Sequence, residues 1–334
     1  MVYFSIIIPI YNSGYSIVSC LDKIASQSFT DYEVVIVNDG SKDNTLEVIN
    51  NYANSHSEIN FNIITQKNAG AGAARNTGID AAKGNYIVFV DADDYVNDDY
   101  LYLVSETIQK DGADVVFIDA IRENRSGKLL RKEPMSVFSN LSKEAMIRWQ
   151  LTGKLPWAGW RKVVKTSIIR DNNIKYAPIK VGEESIFSFL ILQKAERISF
   201  QPKAIYHYVE SETSLTSHDT VSNSEKVFQY MTNYMRDNGY ADKYEKTIRA
   251  MAITTVAIGL NVISQEGISG RRFNQMKQLI RKYKPFFKGE IDMESLDDRV
   301  RFCSPWIKIG CPIPVIIASK IQRIYKTIFG GFKK

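Results

Sequence analysis

Within the first ninety residues, four short apolar runs alternate with three stretches of helical periodicity. The runs cover residues 3–9, 33–37, 62–65 and 86–90. Between them lie a segment carrying Ile17, Leu21 and Ile24 at helical spacing, then residues 46–53, then the small-residue stretch 71–82. Val34-Val35-Ile36-Val37 shows no alternation of apolar and polar residues, so such a strand has no face to give to water. Helices must cover both sides of it, which predicts an α/β fold with a mostly parallel central sheet.

In such sheets ligands bind beyond the carboxyl ends of the strands. The segments there are polar: Pro9-Ile10-Tyr11-Asn12, Asn38-Asp39-Gly40-Ser41 and Asp91-Ala92-Asp93-Asp94. Carboxylates packed this closely repel one another and call for a cation. Mg²⁺ or Mn²⁺, which take oxygen ligands and share them with substrate phosphates, suit the Asp91/Asp93 spacing. Taken alone, the aspartates read equally as a turn capping a helix that starts near Asn97, and residues 38–43 as a turn with a helix N-cap. Residues 70–75 lack the third glycine of a dinucleotide loop and do not follow the first strand, which disfavours a Rossmann dehydrogenase.

With 334 residues, 44% hydrophobic and 24% charged, the chain can build a substantial core, and disordered or fibrous classes are excluded. Its net charge of +6 comes from 43 basic and 37 acidic residues. Residues 301–334 hold seven of the basic ones and no acidic one, so the basic character belongs to a tail and argues against a nucleic-acid partner. Three cysteines are too few for a disulfide framework or a four-ligand zinc site. The first eleven residues have no basic flank and a short apolar run, so neither a signal peptide nor a membrane span is expected there, and a cytoplasmic location is.

Four segments in order carry a stronger signal: S-I-I-I-P-I-Y-N from Ser5, V-V-I-V-N-D-G-S-K-D-N-T from Val34, N-A-G-A-G-A-A-R-N-T-G from Asn68 and G-N-Y-I-V-F-V-D-A-D-D from Gly84. Together they resemble glycosyltransferase family 2, inverting enzymes of GT-A fold, over Ser5 to about Thr216. A second signature of that family follows in W-A-G-W-R-K-V-V from Trp157, Ile174-Lys175-Tyr176, and Val181-Gly182-Glu183-Glu184-Ser185-Ile186-Phe187.

The resemblance implies that Pro9, Ile10 and Tyr11 line a nucleoside pocket, that Asp39 hydrogen-bonds the base, and that Arg75 faces the diphosphate. Asp91 and Ala92 would lie at the nucleotide, with Asp93 the more direct metal ligand and Asp91 nearer the ribose. Where the family usually reads Glu-Asp and uses the Asp as base, this chain has Glu184, which leaves Glu183 open as the alternative. Trp157 and Trp160 would face the acceptor, Ser214 and Thr216 the diphosphate, and His207 a metal or phosphate. Each residue type has a plainer role: tryptophans anchor cores, a Glu pair starts a helix, a histidine is held by its neighbours, and an arginine forms a helix-surface ion pair.

Residues 122–134 read as a loop or hairpin and 204–208 as a closing strand. Residues 221–283 are helix-compatible, with Gly239, Gly259, Gly267 and Gly270 as breaks. The domains expected are a GT-A domain over 1–217, divided at residue 95 into nucleotide and acceptor halves, a helical extension over 218–300 and a tail over 301–334. From Ile313 to Phe329 the tail suits a basic amphipathic helix on an anionic membrane surface, with packing on the catalytic domain or a homo-oligomer as the alternatives.

The function expected is metal-assisted, inverting transfer of a hexosyl or N-acetylhexosaminyl group from a UDP-sugar. Its acceptor would be lipid-linked or a growing cell-surface polysaccharide, at the inner face of the membrane. Its rivals are a nucleotide-sugar or glycan-binding module without turnover and a nucleotidyltransferase. The latter would show a basic glycine-rich loop directly after the first strand, and residues 9–14 are not one.

Overall fold

The computed structural model describes residues 2–179, 182–210, 220–265, 267 and 269–318, which divide into two compact units. The first takes Met1–Lys143 and Pro156–Ser214, the second Glu144–Leu155 and Leu215–Lys334. The second unit thus collects residues 144–155 from within the expected GT-A domain, and it includes the described part of the extension with residues 301–318 of the tail.

The first unit is built on a nine-stranded sheet ordered β3-β2-β1-β4-β8-β6-β9-β5, with β7 paired to β6. Strands β1 (Phe4–Ile10), β2 (Tyr32–Asn38), β3 (Asn60–Thr65) and β4 (Tyr86–Phe89) are mutually parallel. The helices α1 (Ser16–Ala25), α2 (Thr45–Ser55) and α3 (Ala71–Ala81) connect them. Past β5 (Tyr95–Val96) and α4 (Tyr100–Asp111) the sheet becomes mixed. There β6 (Val115–Asn124) runs parallel to β9 (Ile198–Glu210) but antiparallel to β7 (Leu129–Glu133) and β8 (Lys162–Lys165). The charged stretch after residue 122 is therefore the β6–β7 hairpin.

Both faces of β1 are covered, as its unbroken apolar run requires. On one, α1 buries Ile17, Cys20, Leu21 and Ile24 against Phe4, Ile6, Ile8 and Ile10. Each large aliphatic so buried contributes roughly 1.5–3 kcal/mol. On the other, α3 comes so near that a Cβ on Gly78 would stand within 2.4 Å of Ile7 Cγ2, which is why this helix is made of small residues. After the short α6 (Thr166–Asp171), helix α7 (Glu184–Lys194) covers β4 there, with Phe187 edge-on to Phe89 at 5.8 Å between ring centres.

The second unit is helical: α5 (Lys143–Leu151) belongs to it from Glu144 on, followed by α8 (Thr220–Asp237), α9 (Glu245–Gln265), α10 (Gly270–Tyr283) and α11 (Asp298–Lys308). Gly239 (φ 76°) and Gly267 (φ 104°) lie at the breaks between helices, and α10 starts at Gly270. Gly259 is no break, contrary to its sequence reading. It sits inside α9, where a Cβ would fall 2.5 Å from Leu279 Cδ2, so its smallness serves close packing on α10. Helix α9 is long and apolar enough to cross a membrane, but 61% of its apolar window is buried inside the protein, as in a core helix.

Candidate active site

The carboxyl ends of β1 and β2 are knitted together before any ligand arrives. Asn12, at φ 50°, accepts from the Lys42 N–H at 2.8 Å and donates its own N–H to Ser41 Oγ at 2.9 Å. Thr45 Oγ1 receives the N–H groups of Ser13 and Gly14 at 2.9 and 2.8 Å. Asp39 is only 3% exposed and accepts from Gln66 Nε2 (2.8 Å), Ala69 N–H (2.9 Å) and Gly70 N–H (2.8 Å). Both its oxygens hold the segment leading to α3, so the side chain expected to meet a base already fastens this stretch of backbone. Ile10 is 2% exposed and faces the core rather than a pocket, because the strand's alternation turns it inward. Pro9 is half-buried and Tyr11 exposed, the two of that trio with surface to offer.

At the start of α3, Arg75 is the hub. The residue is 7% exposed, with Nη2 2.9 Å from Asp91 Oδ1 and Nη1 3.2 Å from Glu183 Oε1 and 3.8 Å from Glu184 Oε1. The Tyr176 ring lies 5.4 Å from its guanidinium carbon. Burial works against the charge, yet Asp91, Glu184, Tyr176 and Glu183 outweigh it and hold Arg75 well above its ordinary pKa. A surface ion pair is thus not its place in the structure. It joins the strand-end aspartates to the Glu pair.

The three aspartates take different tasks. Asp94 is 2% exposed and spent on β9: it accepts from the Tyr206 hydroxyl at 2.7 Å and the Val209 N–H at 2.9 Å. Asp91 gives one oxygen to Arg75. Asp93 is open to solvent, and its side chain accepts from no other residue among those described. The protein packed around it and the charge of Asp91 raise its carboxyl pKa, while Arg125 opposes this. A hard divalent ion fits this donor set, since it would relieve the repulsion and needs only oxygen ligands. Among the described residues no three acidic, histidine or cysteine side chains are grouped so as to hold a metal ion by themselves, so the remaining ligands would have to come from a bound molecule or water.

Glu183 and Glu184 open α7 beside this pair. Glu184 Oε1 accepts the Gly159 N–H at 2.7 Å, and its other oxygen accepts no hydrogen bond from the described residues. Burial, then the charge of Glu184, pushes Glu183 up to about 7 against the pull of Arg75. Lys162, absent from the sequence-derived site, lies immediately behind. It is 1% exposed, and its ammonium donates to the carbonyls of Trp157 and Ala158, both at 2.8 Å, and to Ser188 Oγ at 3.0 Å. Its sequence signal is a lysine two residues before Val164 on an apolar strand, where only an inward position fits. Gly159 and Tyr176 were also missed. A Cβ on Gly159 would meet the Tyr176 hydroxyl at 2.5 Å and Glu184 Oε1 at 3.3 Å, so the loop must carry glycine there.

Two other assignments change. Trp160 is a core residue, stacked on Tyr206 at 4.4 Å and covered by Arg161 at 4.3 Å, and does not face an acceptor. Trp157 is half-buried and keeps that option. His207 stacks on Tyr95 at 4.3 Å, with Nε2 2.7 Å from Asn97 Oδ1 and Nδ1 3.5 Å from Glu123. Those partners hold it structurally, and none is a D-x-D aspartate. Ala92 is half-buried between the paired aspartates. Ser214 and Thr216 lie outside the described residues.

A sequence profile described as "Glycosyl transferase family 2" matches residues 5–170. The uncharacterized glycosyltransferase EpsJ of Bacillus subtilis is 31% identical over 64% of this chain and 62% of its own length. The poly(ribitol-phosphate) beta-N-acetylglucosaminyltransferase TarS of Staphylococcus aureus is 30% identical over 62% of this chain, which spans about a third (35%) of that protein. The crystal structure of TarS residues 1–349 in complex with UDP-GlcNAc shares the fold, with TM-score 0.68 and 22% identity over 96% of this chain and 91% of that one. A mannosyltransferase of Pyrobaculum calidifontis, solved with GDP-Man and Mn²⁺, matches at TM-score 0.50 and 16% identity over 97% and 87% of the two chains.

Proposed function

Because the chain belongs to glycosyltransferase family 2, we propose that it moves a sugar from a UDP-sugar onto a hydroxyl of a lipid-linked or growing cell-surface polysaccharide. The observation that carries this reading is Arg75, whose guanidinium reaches Asp91 with one terminal nitrogen and Glu183 with the other. A strand-end carboxylate suited to a diphosphate–metal complex and a carboxylate pair suited to proton transfer thereby meet at one guanidinium. The UDP-GlcNAc bound by TarS supports a UDP-sugar donor.

In this reading Glu184 takes the proton of the acceptor hydroxyl as its oxygen bonds to the anomeric carbon. The bond from that carbon to the diphosphate breaks, and its electron pair leaves on the phosphate oxygen. Attack from the opposite face turns an α-linked donor into a β-glycoside. Asp93 and Asp91 would hold Mg²⁺ or Mn²⁺, which when bound supplies positive charge beside the leaving oxygen. Arg75 sets the orientation of Asp91 and contributes charge on the same side. Pro9 and Tyr11 border the space for the nucleoside, and Trp157 that for the acceptor.

We place the protein at the inner membrane face, with the C-terminal segment against anionic lipid. The exposed side chains Phe302, Trp306, Ile309, Ile313 and Ile317 recur at intervals of three or four, and no acidic residue follows Asp298.

UDP release with donor, acceptor and Mn²⁺ tests the reading. Glu184→Gln should slow transfer by about 10²–10⁴-fold, the range of general-base loss, and Asp93→Ala should weaken its metal dependence. Undiminished transfer by Glu184→Gln removes the base assignment, and the absence of UDP release by the parent protein leaves a binding module.

A further inference from the structure

Lys162, the first residue of β8, lies in the interior, and the reaction described above does not use it. An ammonium has three N–H bonds, and here there are three acceptors: the Trp157 carbonyl, the Ala158 carbonyl and Ser188 Oγ, at 2.8, 2.8 and 3.0 Å. Ser188 in turn donates to the Trp157 carbonyl at 2.7 Å, so the group is closed on itself. A buried charge is tolerated only when its hydrogen bonds are satisfied, and this one has all of them.

The geometry acts on the peptide that joins Ala158 to Gly159. Drawing the 157 and 158 carbonyls inward fixes the orientation of the chain entering Gly159, and it is the Gly159 N–H that reaches Glu184 Oε1 at 2.7 Å. We propose that Lys162 is a positioning residue for Glu184: it sets the 157–159 segment so that one carboxylate oxygen is held by the Gly159 N–H while the other stays free to accept a proton. This rests on the reading of Glu184 as the base, and it adds a residue that touches neither sugar nor nucleotide.

The charged groups facing Lys162 are Glu184 on α7, Arg161 beside it in the chain and Arg75 on α3. Burial is the chief influence and lowers its pKa to about 7, Glu184 opposes this, and the two arginines add to it. Through neutral pH the ammonium therefore gives up one of its three protons, and one of the three bonds is lost. The segment it holds should respond in that range.

The experiment uses the full chain. Turnover number and donor KM are measured for the parent, Lys162→Met, Ser188→Ala and Glu184→Gln, with the Gly159 amide followed by NMR as pH is varied. The expected result for Lys162→Met is a turnover number at least tenfold lower, donor KM within twofold of the parent, and a displaced Gly159 amide that no longer titrates near pH 7. Ser188→Ala removes one member of the group with less risk to folding and should give a smaller loss with the same displacement. A folded Lys162→Met with turnover within twofold of the parent and the Gly159 amide in place overturns the proposal, as does an unmoved amide and unchanged turnover in Ser188→Ala should the lysine variant fail to fold. Normal turnover by Glu184→Gln would instead overturn the base assignment, while the amide readout would still report whether Lys162 sets the segment.

Discussion

Arg75 and Glu183 meet at 3.2 Å although 108 residues separate them in the chain. Removing the guanidinium strands Asp91, Glu183 and Glu184 around one spot. Breaking a buried pair from one side typically costs about 3–5 kcal/mol. Arg75→Met should therefore lower stability to urea by that order and abolish measurable UDP release. Denaturation curves and a turnover assay check the two effects separately.

Glu183 gives a pH signature. Its pKa is near the ordinary 4.5 when unfolded and about 7 when folded, so the native state favours the protonated form. That contribution to stability is fully present below pH 4.5 and is lost as pH rises through 7. Glu183→Gln is neutral at every pH, so relative to the parent it should gain about 1–3 kcal/mol between pH 4.5 and 8. The readout is the change in the difference between the two proteins, measured by urea unfolding at pH 5 and pH 8. A constant difference would contradict the buried position of Glu183.

Gly84 lies against β1 with no room for a side chain. A Cβ there would stand 2.5 Å from Ser5 N and 2.6 Å from the Phe4 carbonyl carbon, both backbone atoms. Ser5 Oγ also accepts the Gly84 N–H at 2.7 Å and donates to the buried Glu33 at 2.6 Å. Gly84→Ala should cost about 1–3 kcal/mol through overpacking. A calorimetric melting temperature equal to that of the parent would refute this contact.

The C-terminal stripe makes a separate prediction. Phe302→Glu with Trp306→Glu places two charges on the exposed face of α11. Sedimentation with anionic vesicles should fall at least tenfold, while UDP release in detergent-free solution stays near that of the parent. Equal sedimentation would remove the membrane assignment.

The strands β1, β2 and β4 and the small-residue helix α3 were legible because each carries an unbroken apolar run or a run of alanines and glycines. The mixed half was harder to read: β8 is four residues long and includes two lysines, and its place between β4 and β6 depends on pairings more than seventy residues away along β4. At the site, the sequence pointed to Arg75, the aspartates and the Glu pair as residues, but not to their joining. That link needs α3 and α7 to meet over β4, a tertiary fact. Ile10 and Trp160 were placed at the site through the family resemblance, and burial assigns them to the interior, while half-buried His207 is taken up by Tyr95, Asn97 and Glu123. Lys162 was overlooked because a lysine in a sequence is ordinarily a surface residue.

The way Asp39 is used has an energetic corollary. A carboxylate bonded to Gln66, Ala69 and Gly70 keeps that stretch of backbone fixed in the free protein. On the proposed function, an arriving nucleotide would meet a segment with little conformational freedom left to surrender, so more of its contact energy would be retained as affinity.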